Sequence, residues 1–594
     1  MNFEPTPFPS LATDAITNNG STVSNVSEAF GYDNLGRQSA ASLTINVSGV
    51  MGLAPFIVSR GYTQTGRVSS VSDTGGNTGL GVATSATLTS TRDNLGGLAR
   101  LVDSAGNARI DFVYNPDGQL IVKQGSTNPI TGGNAPTTTT QYSYDGAGRL
   151  NAQTDSNSAT GTLNQTAFNI DFDNRVLTKA VTFAGLPTQV RSYTYDKSGQ
   201  LVGTNSGTND GVPATTSYAY DLAGNRNERT TVSGNRVTFD GTNTYTYDPV
   251  GELVRRDEPS GSYTSYTYDG FGRLTGVDYR SASGVQQPGS ETYVYDALGR
   301  RVATIGTTTA TTSMTAYDGS TPYADFNISG YLTTRYLHGD AVDAVLGQVT
   351  AAGSVAWYLR DYQGSVRQLV ASNGVVLDRV TYDPFGQVSL ETNPSGGDRF
   401  KYAYGEYVAV RSGTGAYGMS TGLIHEGARY YDPAQGRWTQ TDPIGFAADD
   451  ANLYRYVGND PINGIDPSGL ADFYLGGQGY VMPWNWSPSL SGVATTFGNY
   501  GRTGSVVIAG AVGEGATGAL SGGATGLGLS LLTGPAVVET ALPLTAAGFA
   551  GGGVGGLIDG GLNALFASPP GTTPLQALAT GEDRGWSTGR VGAP

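Results

Sequence analysis

Residues 244–274 read TYTYDPVGELVRRDEPSGSYTSYTYDGFGRL, and the fold can be argued from them. Thr244-Tyr245-Thr246-Tyr247 and Ser265-Tyr266-Thr267-Tyr268 alternate polar and aromatic residues, the period of two expected of a strand. Asp248 and Asp269 then open a tight turn, because an Asp carboxylate accepts backbone amides two residues on. Gly251 and Gly272 supply the positive φ that such a turn needs. Glu252-Leu253 and Arg273-Leu274 begin the return strand, so each copy of the pattern is a β-hairpin.

The same Tyr-Asp-x-x-Gly recurs from Tyr32, Tyr144, Tyr195, Tyr220, Tyr295 and Tyr382. Tyr195, Tyr220, Tyr247, Tyr268 and Tyr295 follow one another at intervals of 21–27 residues, the range of stacked repeat units. One hairpin cannot bury its own face, so the hairpins must stack edge to edge. The tyrosines can then cover one face while their hydroxyls reach polar partners. Before residue 500 there is almost no long apolar pattern of helical period. Antiparallel β is therefore expected for the first 470 residues.

Composition narrows the chemistry. At 594 residues the chain is several times an ordinary domain. Charged residues make up 14%, Gly numbers 88 and Tyr 35, which is not the makeup of a disordered chain. A net charge of −15 argues against a nucleic-acid-binding surface. Lysine occurs only at Lys123, Lys179, Lys197 and Lys401, so nearly every cation is an arginine. Without cysteine there is no disulfide or thiol nucleophile, and His338 and His425 are too few for a multi-His metal centre. No metal or other cofactor is expected. The N-terminal MNFEPTPFPSLATD has neither a basic nor an apolar signal region.

The composition changes abruptly after Leu423–Leu470, LIHEGARYYDPAQGRWTQTDPIGFAADDANLYRYVGNDPINGIDPSGL. Together with YLRDYQGSVRQLV (Tyr358 to Val370), YDPFG (Tyr382 to Gly386) and the repeats, this segment resembles the Rhs family. That family of YD-repeat proteins includes the C subunits of insecticidal toxin complexes and bacterial polymorphic toxins. The likeness covers roughly residues 30–470. It implies an all-β fold in which YD hairpins wind as a spiral sheet into a hollow shell around a C-terminal polypeptide. The organisation it implies is an N-terminal segment 1–30, a repeat shell 31–395, an Rhs-associated core domain 396–470 and a variable segment 471–594.

The family's core domain cuts its own chain after its last Asp-Pro-x-Gly-Leu, and the matching bond here is Leu470–Ala471. Motif by motif, the resemblance assigns Arg429 of ARYYD, Asp442 of TDPIG and Asp466 of DPSGL to the cut. The chemistry fits an aspartyl-type autoprotease of a single turnover. Two close carboxyls cannot both ionise, so one stays protonated while the other activates water. Arg429 would orient one carboxylate or polarise the scissile carbonyl. Taken singly, Asp432, Asp442 and Asp466 also fit plain Asp-Pro turns, and Arg429 fits a surface bridge to Asp432. Asp449-Asp450-Ala451 replaces the family's usual Gly-Gly before NLYRY and adds negative charge beside the site. His425, next to Glu426, reads as structural.

Residues 471–594 are different in kind. From about Thr503 to Ser568 the chain is Gly/Ala-rich, charged only at Glu514, Glu539 and Asp559. The runs Gly515–Val538 and Thr540–Ile558 are long enough to span a bilayer, though modestly apolar. A membrane-active cargo, a connector and a flexible Gly-rich filler are all compatible with it. The absence of His, Cys and Lys after residue 470 disfavours His-dependent nucleases, deaminases and Cys proteases there. The leading expectation is a β-shell that encapsulates, cuts free and delivers its C-terminal polypeptide as part of a bacterial toxin or antagonism system. Its expected partners are that segment, a capping or delivery subunit and a target-cell membrane, with no nucleic acid. A cytoplasmic stage precedes export by a specialised system. The alternative is a surface adhesion or carbohydrate-binding YD-repeat protein.

Overall fold

The computed structural model describes residues 12–474 apart from 19–20, 34, 36, 48–50, 75–84, 105–107, 128–136, 208–213, 297, 308–311, 340–344, 395–397, 412–420 and 449. The bilayer-length runs of the tail, and with them the cargo, connector and filler readings, lie outside the described residues. Within them each strand pairs antiparallel with its neighbour in sequence. Two sheets of sixteen strands result, one from Ala12 to Ser217 and one from Thr230 to Glu391. Among the described residues the only helical elements are short 3-10 turns. Strands Ala12–Asn18 and Ser21–Tyr32 belong to the first sheet, so pairing reaches upstream of residue 31, where the repeat motif becomes readable.

The hydrogen bonds of one unit explain the repeat. Asp269 Oδ1 accepts the amides of Phe271 and Arg273 at 2.9 and 3.0 Å. Its Oδ2 accepts Arg273 Nε at 2.7 Å, and Gly272 turns the chain at φ 77°. Arg273 then reaches forward, donating to the Asp296 carbonyl of the next turn at 3.2 Å. Tyr268 reaches back, its hydroxyl donating to the Leu253 carbonyl of the preceding unit at 3.1 Å. Tyr144 and Arg149 repeat the pattern toward Leu120 and Asp171 at 2.7 and 2.6 Å, as do Tyr295 and Arg300 toward Leu274 and Gly319, both at 2.6 Å. The tyrosine ties a unit to the one before and the arginine ties it to the one after. Holding its own Asp through Nε and the next turn through Nη needs the forked guanidinium, so lysine does not serve.

The strip of hairpins also meets itself. Asp73, at the C-terminal end of the strand Val68–Asp73, accepts Arg335 of the second sheet at 2.6 and 2.9 Å and Tyr323 Oη at 2.9 Å. Gln153 donates to the Arg360 carbonyl at 2.7 Å, and Lys179 pairs with Asp361 at 3.0 Å. At Gly125 a Cβ would lie 2.9 Å from the Trp357 indole, so glycine lets the two sheets close there. These pairs are mostly buried, and their large desolvation cost leaves them setting register between sheets more than adding stability.

The segment after residue 398 grips the turns of the repeats. Its strands Glu406–Arg411, Thr421–Glu426, Arg429–Asp432 and Arg437–Trp438 form a four-stranded sheet. From it and the loop beyond, Gln440 donates to the Gly272 carbonyl at 2.9 Å, Tyr454 to that of Gly251 at 2.5 Å and Asn459 to that of Gly224 at 2.8 Å. Three successive glycine turns are thereby fixed to one domain.

Candidate functional site

Arg429 leads the strand Arg429–Asp432 after a two-residue reversal, Gly427-Ala428, from the strand Thr421–Glu426. Its guanidinium lies 4.0 Å above the Trp438 ring, which with Tyr431 and Tyr456 forms a buried aromatic cluster. A weakly hydrated, flat cation suits that wall. The three nitrogens are all used. Nη1 meets Asp442 Oδ2 at 2.9 Å, Nη2 meets Asp466 Oδ2 at 3.1 Å, and Nε donates to the Gly469 carbonyl. Both carboxyls expected from the sequence thus converge on the expected arginine. That carbonyl belongs to the peptide before the expected scissile bond, so Arg429 clasps both acids and the approaching chain and has no bond to the Leu470 carbonyl among those described. Asp432 sits apart, accepting the amides of Ala434 and Gln435 in its own turn at 3.0 and 3.2 Å. His425 packs against Tyr430 at 4.7 Å between ring centroids, and desolvation pushes it down to about 3, leaving it neutral.

Two turns place the bond. Asp466 to Gly469 reverse the chain, with Gly469 at φ 64°. A Cβ at Gly469 would lie 2.3 Å from the Glu426 carbonyl, and one at Gly427 2.3 Å from that of Ser468. Backbone therefore rests on backbone, and the Ala428 amide donates to the Ser468 carbonyl at 2.9 Å. Leu470–Ala471 is carried over Asp466, whose Oδ1 accepts the amides of Leu470 and Ala471 at 3.2 and 3.1 Å and the Ser468 hydroxyl at 2.9 Å. The nitrogen that would leave on cleavage is thus in hydrogen-bonding contact with a carboxyl. Asp442 is set by its own turn, its Oδ1 accepting the Ile444 amide at 2.9 Å.

A polar cavity of about 20 Å³ is lined by Arg429, Asp442, Asp450, Leu470 and Asp472 among others, room enough for one water. Acids outnumber cations around it: Asp442, Asp450 and Asp472 line it with Arg429 and Arg455, the latter paired with Asp450 at 2.7 Å, and Arg429 also holds Asp466. Burial pushes the Asp442 carboxyl up to about 6; Arg429 opposes the rise, while Asp466 and Asp450 add to it. Asp466 is raised too, chiefly by burial, against the pull of Arg429 and Ser468. Asp472 is driven up to about 8 by burial and then by Asp466. The extra charge read at Asp450 therefore acts on the site as expected from the sequence. Sequence reasoning missed Asp472 and Trp438. Trp438 sits inside the quoted motifs, whereas Asp472 follows them and carries no signal of its own.

Hairpins tied by Tyr-Asp turns and ending in a domain that grips those turns define a YD-repeat shell. The chain belongs to the teneurin YD-shell family, which it matches over residues 118–462. It is 36% identical over 102 residues to toxin subunit YenC2 of Yersinia entomophaga, covering 17% of this chain and 10% of that protein. It is 31% identical over 169 residues to salivary gland surface protein 1 of Aedes aegypti, covering 26% of this chain and 4% of the relative. The chain thus spans a tenth or less of the length of these relatives. The crystal structure of TcdB2-TccC3-TEV aligns with 77% of this chain and 27% of its own, at 19% identity and a TM-score of 0.45.

Proposed function

We propose that this chain is a self-cleaving β-shell that hydrolyses its own Leu470–Ala471 bond once and releases the polypeptide 471–594. The observation that carries the reading is the clasp: one arginine holds two buried carboxyls while one of those carboxyls contacts the Ala471 amide. Asp442, ionised at neutral pH, takes a proton from a water in the adjoining cavity. The hydroxide adds to the Leu470 carbonyl carbon. Asp466, whose carboxyl burial raises, carries a proton in this reading and gives it to the Ala471 nitrogen as the C–N bond breaks. Arg429 steadies whichever carboxyl is ionised and fixes the strand through the Gly469 carbonyl.

In this reading the released segment is cargo, and the shell works with a capping or delivery subunit in an exported bacterial toxin or antagonism system. The likeness to YenC2 supports that setting. The test is the mass of the purified chain. Native protein should run as one particle and resolve on denaturation into residues 1–470 and 471–594. Asp442→Asn should give a single chain of 594 residues. A wild-type chain that stays whole after prolonged incubation at pH 7 refutes self-cleavage and leaves the shell fold untouched.

A further inference from the structure

We infer that the site also holds what it makes: it is a binding site for a free peptide N-terminus, the α-ammonium of Ala471. This rests on the cleavage proposed above. The residues beyond the bond are already docked. Phe473–Tyr474 pair antiparallel with Gly464–Ile465, in the register Gly464 to Tyr474 and Ile465 to Phe473. Phe473 packs against the edge of the main apolar core. The Tyr474 ring lies over two glycines, since a Cβ at Gly458 would meet its hydroxyl at 2.6 Å and one at Gly464 its Cε1 at 3.5 Å. A side chain at Gly458 would displace the hydroxyl, whereas the contact at Gly464 is an ordinary van der Waals one.

Hydrolysis then changes the charges in a defined way. Water supplies a hydroxyl to the Leu470 carbonyl carbon, the C–N bond breaks, and the Ala471 nitrogen takes the proton. At neutral pH the new acid ionises and the new amine gains a further proton, so one anion and one cation are created. The cation appears on a nitrogen that already sits 3.1 Å from Asp466 Oδ1 and 3.3 Å from Ser468 Oγ. It forms beside Asp466, the acid that has just given up its proton in the proposed step. The anion on Leu470 appears in a cavity lined by both arginines and acids. The new cation is formed beside a carboxylate, and with the strand pairing this favours retention of the new N-terminus over expulsion. The ligand class is an unblocked peptide opening with a small residue, then an acid and two aromatics. Cutting and release are separate events in this site.

The test uses the full chain after it has cut itself. An amine-selective reagent at pH 7 should modify the Ala471 α-amine at least about tenfold more slowly in the native protein than in urea, the ratio expected for about 1.4 kcal/mol of docking. Phe473→Ser with Tyr474→Ser should remove that protection in whatever fraction of the chain is cut. Equal labelling rates in native and unfolded wild type overturn the inference. A chain that is never cut shows first in the intact mass and refutes the proposed function by itself. In that case hydrogen exchange of the Ala471–Tyr474 amides decides the docking. Slow exchange sustains it, and exchange at the unfolded-chain rate removes it.

Discussion

Replacing Asp442 with Asn, and moving the pH across the range in which Asp442 titrates, tests the roles assigned to the two acids. With its carboxyl held near 6, Asp442 is about ten-elevenths ionised at pH 7 and about one-eleventh ionised at pH 5. If the ionised form is the base, self-cleavage at pH 5 is about tenfold slower than at pH 7, and the drop centres near 6. Asn keeps the shape of the side chain and cannot take the proton. A positioned base contributes about 10²–10⁴-fold, so Asp442→Asn should cut at least about 10²-fold more slowly at every pH. The assay starts from uncut chain collected in urea and refolded by dilution into buffers from pH 5 to pH 8. Samples are quenched in detergent at intervals, and bands for residues 1–470 and 471–594 are quantified, with refolding followed separately by tyrosine fluorescence. A rate that is flat or rises toward pH 5 would reverse the assignment of base and acid. An Asn variant within tenfold of wild type would remove Asp442 from the chemistry.

Arg429→Met should leave the chain whole and lower its stability by about 3 kcal/mol at pH 7, since two buried carboxyls lose their shared cation. The loss should shrink toward pH 5, where Asp442 protonates, and urea titrations at both pH values measure it. Gly469→Ala touches neither acid, yet its Cβ would lie 2.3 Å from the Glu426 carbonyl at a φ of 64°, so the turn must move and cleavage should stop; intact mass reads the outcome. Tyr268→Phe removes the hydroxyl that ties its hairpin to the Leu253 carbonyl and should cost about 1 kcal/mol, seen as a lower urea midpoint with cleavage unchanged.

The repeat was legible because its turn needs particular side chains. Asp accepts two amides, Gly takes the positive φ, and Tyr and Arg bond the neighbouring units. Further turns use substitutes and so escaped the Tyr-Asp-x-x-Gly reading. Thr63 Oγ1 accepts the Arg67 amide at 3.2 Å in place of an Asp, and Asn115 Oδ1 accepts those of Asp117 and Gln119 at 3.1 and 2.9 Å. Asn174 stands where Gly usually does, at φ 66°, a conformation Asn tolerates better than most residues. The contacts between sheets were not legible, because Asp73 and Arg335, or Gly125 and Trp357, are joined only by the winding of the strip. At the site, motif matching found Arg429, Asp442 and Asp466. Distance and burial were needed to see that Arg429 holds the Gly469 carbonyl and that Asp472 is a third raised acid.

The charge balance at this site links its chemistry to its cost. A carboxyl at about 6 in the folded chain and near 3.8 when unfolded binds more protons folded between those values, so stability falls as pH rises through that window. At pH 7 the charging of Asp442 alone costs about 3 kcal/mol, at 1.36 kcal/mol per pH unit. Burial is the first source of that cost, and Asp466 and Asp450 add to it. An Asn or Gly at position 450 would lower the Asp442 carboxyl and make it a weaker base at neutral pH, at the cost of the Asp450 pair with Arg455. If the bond is cut as proposed, the cation formed on Ala471 lies 3.1 Å from Asp466 Oδ1, while the anion formed on Leu470 joins Asp442 and Asp450 around the cavity, so the two new charges act on the cluster in opposite directions.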